Sequence, residues 1–277
     1  MAHDAYDPAV HYDRVTEAWG FLLGEELHWG VFNNGDETLS TATAELTSRM
    51  IQAAQFAPGQ QVLDVGCGSG APARRLATEH GVHVLGITTS QIGVELATAE
   101  AAKAGVADVR FEQRDGTNNG LPDDSFDRVW VLESSHLMPD RQRLLSESAR
   151  VLRPGGRIVL CDLIRRRDIP FRELRERSED FATLRAGFGS ARMDTLDQYT
   201  TYMESAGLVV DHVVDLTTET LATLDRWRGT ALEHRDAVIE IVGLDGLQTF
   251  ENSLDILEGF WRDGTLGYGL LSASQPT

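Results

Sequence analysis

The chain has 277 residues, 42% hydrophobic and 25% charged, an ordinary composition for a soluble protein with one large core. Its 43 acidic against 25 basic residues leave a formal net charge of −18, a surface that repels nucleic acid and anionic lipid and disfavours both as partners. No window approaches the roughly 20 apolar residues of a membrane span. The opening MAHDAYDPAVHYD lacks a basic patch followed by an apolar run, and Cys67 and Cys161 make no disulfide framework, so a cytoplasmic protein is expected.

In chain order, the first 45 residues carry recurring aromatics (Tyr12, Trp19, Phe21, Trp29, Phe32) and read as helical. Gln61–Val65 reads as a buried strand, and residues 72–80 as a helix with Pro72 in its first turn, where the missing N–H costs little. A strand over 82–87 leads to an alanine-rich helix over 91–104, stopped by Gly105. Val109–Gln113 and Phe126–Leu132 are strands three and four. A helix over 140–151 ends at Arg153-Pro154-Gly155-Gly156, before strand five at 157–163. Residues 164 to about 205 are charged and helical, broken at Gly187-Phe188-Gly189. A strand over 208–216, helices bearing Trp227, Phe250 and Trp261, and a last strand over 266–273 complete the pattern. Strand, helix, strand in this rhythm predicts a parallel sheet covered on both faces.

The turn after strand one, Val65-Gly66-Cys67-Gly68-Ser69-Gly70, lets a ligand approach the backbone because no Cβ stands in the way. Gly66-x-Gly68-x-x-Ala71 also satisfies the looser dinucleotide fingerprint, so a nicotinamide enzyme is a competing reading. Three features oppose it. Asp64 stands two residues before the first glycine, where a carboxylate can face a cationic amino group. The glycines fall at 66, 68 and 70. The end of strand two, Gly86-Ile87-Thr88-Thr89-Ser90, lacks the acid that NAD ribose recognition wants.

VLDVGCGSG, the GITTS segment, the RDGTNNGLPDDSFD loop and ARVLRPGGRIVLCD together resemble class I S-adenosylmethionine-dependent methyltransferases, in particular the tocopherol-methyltransferase-like branch and the rebeccamycin sugar O-methyltransferase group. The likeness runs from about Tyr12 to Asp162. It implies an α/β fold: a Rossmann-like, doubly wound, mainly parallel seven-stranded sheet, with an N-terminal helical segment and a helical lid inserted after strand five. The branch ends strand two in G-I-x-x-S-x-x-Q, and here Gly93 takes the glutamine position, leaving Thr88, Thr89 and Gln91 as candidates for the ribose. The resemblance further implies that Asp64, Gly66 and Gly68 hold the methionine end of the cofactor. It gives Asp115 and the backbone at Gly116 to the adenine amino group, and sets Leu132 and Glu133 beneath the sulfonium. Tyr12 and Trp29, the latter in Leu27-His28-Trp29-Gly30, close over the top.

Methyl transfer to an alcohol or phenol gains roughly 10²–10⁴-fold from a general base. The best candidate is His136, directly after strand four, where ligands of open α/β sheets bind and where imidazole titrates near neutrality. The related sugar methyltransferases carry two adjacent histidines there; the second position is Leu137 here. Asp162, at the end of strand five, matches a family carboxylate and could orient His136 or bind the acceptor hydroxyl. His3, Asp4, His11 and Asp13 show no metal spacing, Cys67 and Cys161 read as small core residues, and Arg165-Arg166-Arg167 as a solvated helix start.

The reading is a single domain with 1–45 as an N-terminal lid segment, 46–163 the cofactor-binding core, 164–205 a lid insertion and 206–277 completing the sheet. Its expected activity is methyl transfer from S-adenosyl-L-methionine, leaving S-adenosyl-L-homocysteine, to a moderately apolar small-molecule hydroxyl of bacterial secondary metabolism. N- or C-methylation, or a non-methylating cyclisation on the same scaffold, is the alternative reaction, and a non-catalytic cofactor-binding protein a further rival. A homo-oligomer is compatible with all of these.

Overall fold

The computed structural model describes residues 18–24 and 26–277. Seven strands form one sheet in the order β3-β2-β1-β4-β5-β7-β6. They are β1 (Gln61–Val65), β2 (His83–Thr88), β3 (Val109–Gln113), β4 (Phe126–Leu132), β5 (Leu152–Arg165), β6 (Val209–Asp215) and β7 (Leu266–Ser274). β7 runs antiparallel to both its neighbours, and the other pairings are parallel. The helices are α1 (Leu39–Ala54), α2 (Ala71–His80), α3 (Gln91–Lys103), α4 (Arg141–Val151), α5 (Phe171–Glu176), α6 (Ser178–Phe188), α7 (Leu196–Ser205), α8 (Thr217–Thr220), α9 (Thr223–Glu233) and α10 (Arg235–Arg262).

Side chains alternate across the central strands and so divide the core in two. Val62, Val84, Trp130 and Val159 face α1, α2 and α3. Leu63, Leu85, Val131 and Leu160, one residue along, face α4 and α7. A central parallel strand must be apolar on both faces, which is why VLDV in β1 is buried throughout, Asp64 included. Helix starts follow side-chain chemistry. Thr38, Ser90 and Asp140 accept the N–H three residues on, and Thr195 forms a capping box with Gln198, each cap contributing roughly 1 kcal/mol.

The chain reverses its winding between β1 and β4, and the crevice opens at the carboxyl ends of those two strands. Its roof comes from three separated segments. One is the stretch before α1, where residues 18–22 are helical and residues 26–38 are irregular, so among the described residues the helical expectation for the first 45 holds only in part. The second is α6, which runs through Gly187-Phe188 and ends at Gly189. The third is α9 with α10, α10 being the helix that pairs with α6. α7, although within 164–205, packs on α4 and β6 as part of the sheet's cover. β5 is longer than the sequence suggested, because the Arg153-Pro154-Gly155-Gly156 turn forms a bulge against β4 and the strand continues beyond Asp162.

Candidate active site

The crevice is a cavity of about 1050 Å³ walled by the loops after β1, β2, β3 and β4 and by the roof. The glycine turn is shaped by its neighbours. Gly66 and Cys67 both donate to the Ile87 carbonyl, at 2.8 and 3.1 Å, which ties the β1 loop to β2. Gly66 lies at φ +80°, and a Cβ there would stand 2.2 Å from that of Ser134, whose hydroxyl donates to the Val65 carbonyl. At Gly68 (φ +51°) a Cβ would meet nothing within 4 Å. The first glycine is thus required by packing, and the second keeps a space open.

Asp64 also lines this wall. It is buried, its Oδ2 has no hydrogen-bond partner, and burial pushes its pKa up to about 7. A buried carboxylate without a partner is costly, so the site suits a ligand that brings a cation to it. The orphaned oxygen and the open cradle at Gly68 together fit the ammonium end of S-adenosylmethionine.

From the end of β2 into the first turn of α3, Thr88, Thr89 and Gly93 line the cavity. Gln91 does not: it lies in the first turn of α3 on the exposed side, its Nε2 donating to Glu95 at 3.0 Å. The ribose assignment to Gln91 is therefore corrected, and the neutral hydroxyls of Thr88 and Thr89 remain at that wall. After β3, Asp115 and Gly116 line the cavity, with Asp115 Oδ1 accepting from the N–H and hydroxyl of Thr117. Gly116 packs its backbone against Val65 and Met138, where a Cβ would clash.

Leu132 and Glu133 occupy the end of β4. Glu133 adopts φ +48°, a conformation that costs a side-chain-bearing residue roughly 1–3 kcal/mol and needs support from its surroundings. Three hydrogen bonds supply it. Its N–H donates to Cys161, and its Oε1 accepts from the Trp29 N–H at 2.7 Å and the Tyr268 hydroxyl at 2.5 Å. Burial raises its pKa to about 7.

Trp29 is stacked on Trp261 (4.3 Å, 3°) and meets Trp227 edge-on at 5.0 Å. Its neighbour His28 is buried, contacting the Trp29 carbonyl and Glu26; burial lowers its pKa, but Glu26 and Glu133 outweigh that and leave it raised. Tyr12 lies outside the described residues. Sequence reasoning missed His28 and Tyr268. The first stood in the quoted Leu27-His28-Trp29-Gly30, whereas nothing local links Tyr268 to Glu133, 135 residues away.

His136 sits on a single 3₁₀ turn, Ser135–Leu137, and lines the cavity. Its Nδ1 is 2.5 Å from Asp162 Oδ1, and its backbone N–H donates to Asp162 Oδ2. Asp162 also accepts from the Ser135 hydroxyl and the Leu163 N–H. Burial pushes the His136 pKa down, but the Asp162 carboxylate more than offsets this and the net shift is upward; the same pairing holds Asp162 low despite its burial. Asp162 is fully buried, within β5, and forms no part of the cavity wall. Of its two expected roles, only orienting His136 is open to it; contact with an acceptor is not. The ring's protein bonds are at Nδ1, so Nε2 is the nitrogen that can serve the cavity.

An open sheet wound this way, with its seventh strand antiparallel and its glycine loop at the switch point, is the architecture of the class I methyltransferases that the sequence resembles. The chain belongs to the mycolic acid cyclopropane synthetase family, whose model matches residues 2–268, and its chemistry is S-adenosylmethionine-dependent. It is 36% identical to 27-O-demethylrifamycin SV methyltransferase of Amycolatopsis mediterranei over 96% of this chain and 95% of that one. It is 31% identical to methyltransferase GfsG of Streptomyces halstedii, over 99% and 96%. Among solved structures it resembles the [4+2]-cyclase SpnF (TM-score 0.83, 25% identity, 97% and 96% covered). The cyclopropane synthase MmaA2 of Mycobacterium tuberculosis shares the fold (TM-score 0.85, 18% identity, 99% and 100% covered).

Proposed function

We propose that this chain methylates a hydroxyl of a moderately apolar secondary metabolite, with His136 as general base and Asp162 as its positioning residue. The observation that carries the reading is His136 at the cavity wall with its Nδ1 held by the buried Asp162, because a hydroxyl must give up its proton to be methylated. Asp64, the open backbone at Gly68, the threonines after β2 and Asp115 would hold S-adenosylmethionine, which when bound supplies a methyl group on a sulfonium. The cavity residues then contribute alignment and exclusion of water, a large part of the acceleration in such a displacement. His136 Nε2 takes the hydroxyl proton. Asp162 holds the Nδ1–H tautomer and stabilises the imidazolium that results.

A first acceptor to test is 27-O-demethylrifamycin SV, from the name of a relative that matches 96% of the chain. With trideuteromethyl-labelled cofactor, the reading expects one labelled product for each S-adenosylhomocysteine released. The likeness to SpnF favours a second reading, cyclisation within the same cavity; product formed without label and without S-adenosylhomocysteine would establish it instead. The domain reading is a single unit, in which the N-terminal segment, α6 and α10 act together as the lid. The protein would work in the cytoplasm on a small molecule, as a monomer or homo-oligomer.

A further inference from the structure

We infer that Arg192 selects the acceptor, and that the cavity takes a largely apolar molecule carrying one ionised oxygen acid for which the Arg192 guanidinium is the counter-charge. The inference rests on the methyl-transfer reading and names the acceptor class for it. Leu163, Leu184, Phe188, Met193 and Trp227 contribute apolar lining to the cavity, which two arginines, Arg114 and Arg192, also line; Arg114 is held by Glu112 and the Asn119 carbonyl.

Its loop is pinned at both ends of the relevant stretch. The Arg192 N–H donates to the His136 carbonyl at 2.8 Å, so its backbone is attached to the base itself. Two residues on, Asp194 is held by Arg141 at 2.5 Å, and its carbonyl accepts from the Arg165 N–H. Asp194 is therefore committed elsewhere and does not pair with Arg192.

Arg192 is exposed, and among the described residues its guanidinium makes no hydrogen bond or ion pair. Among the described arginines only Arg175, Arg185 and Arg192 are in that position, and of these only Arg192 lines the cavity. In a chain with 43 acidic residues against 25 basic ones, an unpaired cation at an apolar cavity is a group awaiting a partner. Ser190, on the same loop and also lining the cavity, adds a hydroxyl.

The expected anion carries a single charge. Asp115 and Asp140 lie on the cavity wall, and the other lining arginine, Arg114, is already paired with Glu112, so a polyanion would meet carboxylates with Arg192 alone to offset them. A planar guanidinium recognises one oxygen acid through paired charge-assisted hydrogen bonds.

The test uses the enzyme saturated with S-adenosylhomocysteine and two fluorescent probes on one aromatic skeleton. These are 1-anilinonaphthalene-8-sulfonate, which bears a single negative charge, and the uncharged N-phenyl-1-naphthylamine. Wild type is expected to bind both. Arg192→Gln should weaken the sulfonate by about tenfold or more, the worth of a charged hydrogen bond, while changing the neutral probe by less than about twofold; Arg192→Lys should recover part of the loss. Equal weakening of both probes, or a sulfonate affinity indifferent to Arg192, overturns the inference and leaves the methyl-transfer reading standing. If wild type binds neither probe, the apolar acceptor cavity fails, and the inference with it.

Discussion

The Asp64 carboxyl is buried without a partner, and its pKa near 7 records what that costs. A ligand ammonium placed against it binds the ionised form, so binding below pH 7 requires a proton to leave first. For a free-state pKa of about 7, affinity for S-adenosylhomocysteine should fall by about tenfold between pH 8 and pH 6. Calorimetry in buffers of different ionisation enthalpy should show proton release on binding near pH 6.5, and Asp64→Asn should flatten the profile. A pH-independent affinity in the wild type contradicts the placement. The two glycines beside it make a paired prediction. Gly66→Ala drives a methyl group into Ser134 and should destabilise the fold by several kcal/mol. Gly68→Ala should cost only about 1 kcal/mol of left-handed strain while weakening cofactor binding. Thermal denaturation and calorimetry on both variants separate the effects.

At the scale of elements, the roof is held by one aromatic cluster. Trp29 from the segment before α1 lies between Trp261 of α10 and Trp227 of α9, and Glu133 at the end of β4 pins its backbone. Trp261→Ala removes a buried stacked ring and should cost about 3–5 kcal/mol of stability. It should also raise KM for the cofactor more than it lowers kcat, because it loosens the N-terminal segment without touching His136. A variant that unfolds less readily than this and keeps its KM would show that Trp29 is held by other contacts. Elements with a strong local period were legible from sequence: β1, β3 and β4 fall where the β-branched runs put them, and α3 stops at its glycine. The roof was not. Its parts come from three separated stretches, and α10's pairing with α6 depends on apolar residues that read equally well as ordinary core.

For the whole molecule, the alternating pattern predicts a parallel sheet covered on both faces and the resemblance implies its doubly wound seven strands, while the strand order and switch point come from the structure. Among the described residues no helix is long and apolar enough to cross a membrane. What the sequence could not carry is orientation. Gln91 sat at the right distance from strand two but faces outward, since the cap at Ser90 sets the phase of α3. Asp162 and His136 were both visible, but only the fold shows that the carboxylate is walled off and the imidazole is not. The pairing is the centre of the account, and the single-turnover rate of methyl transfer in His136→Ala at saturating cofactor tests it most directly. The account predicts a loss of about 10²–10⁴-fold with S-adenosylhomocysteine affinity unchanged; a rate equal to wild type would contradict it.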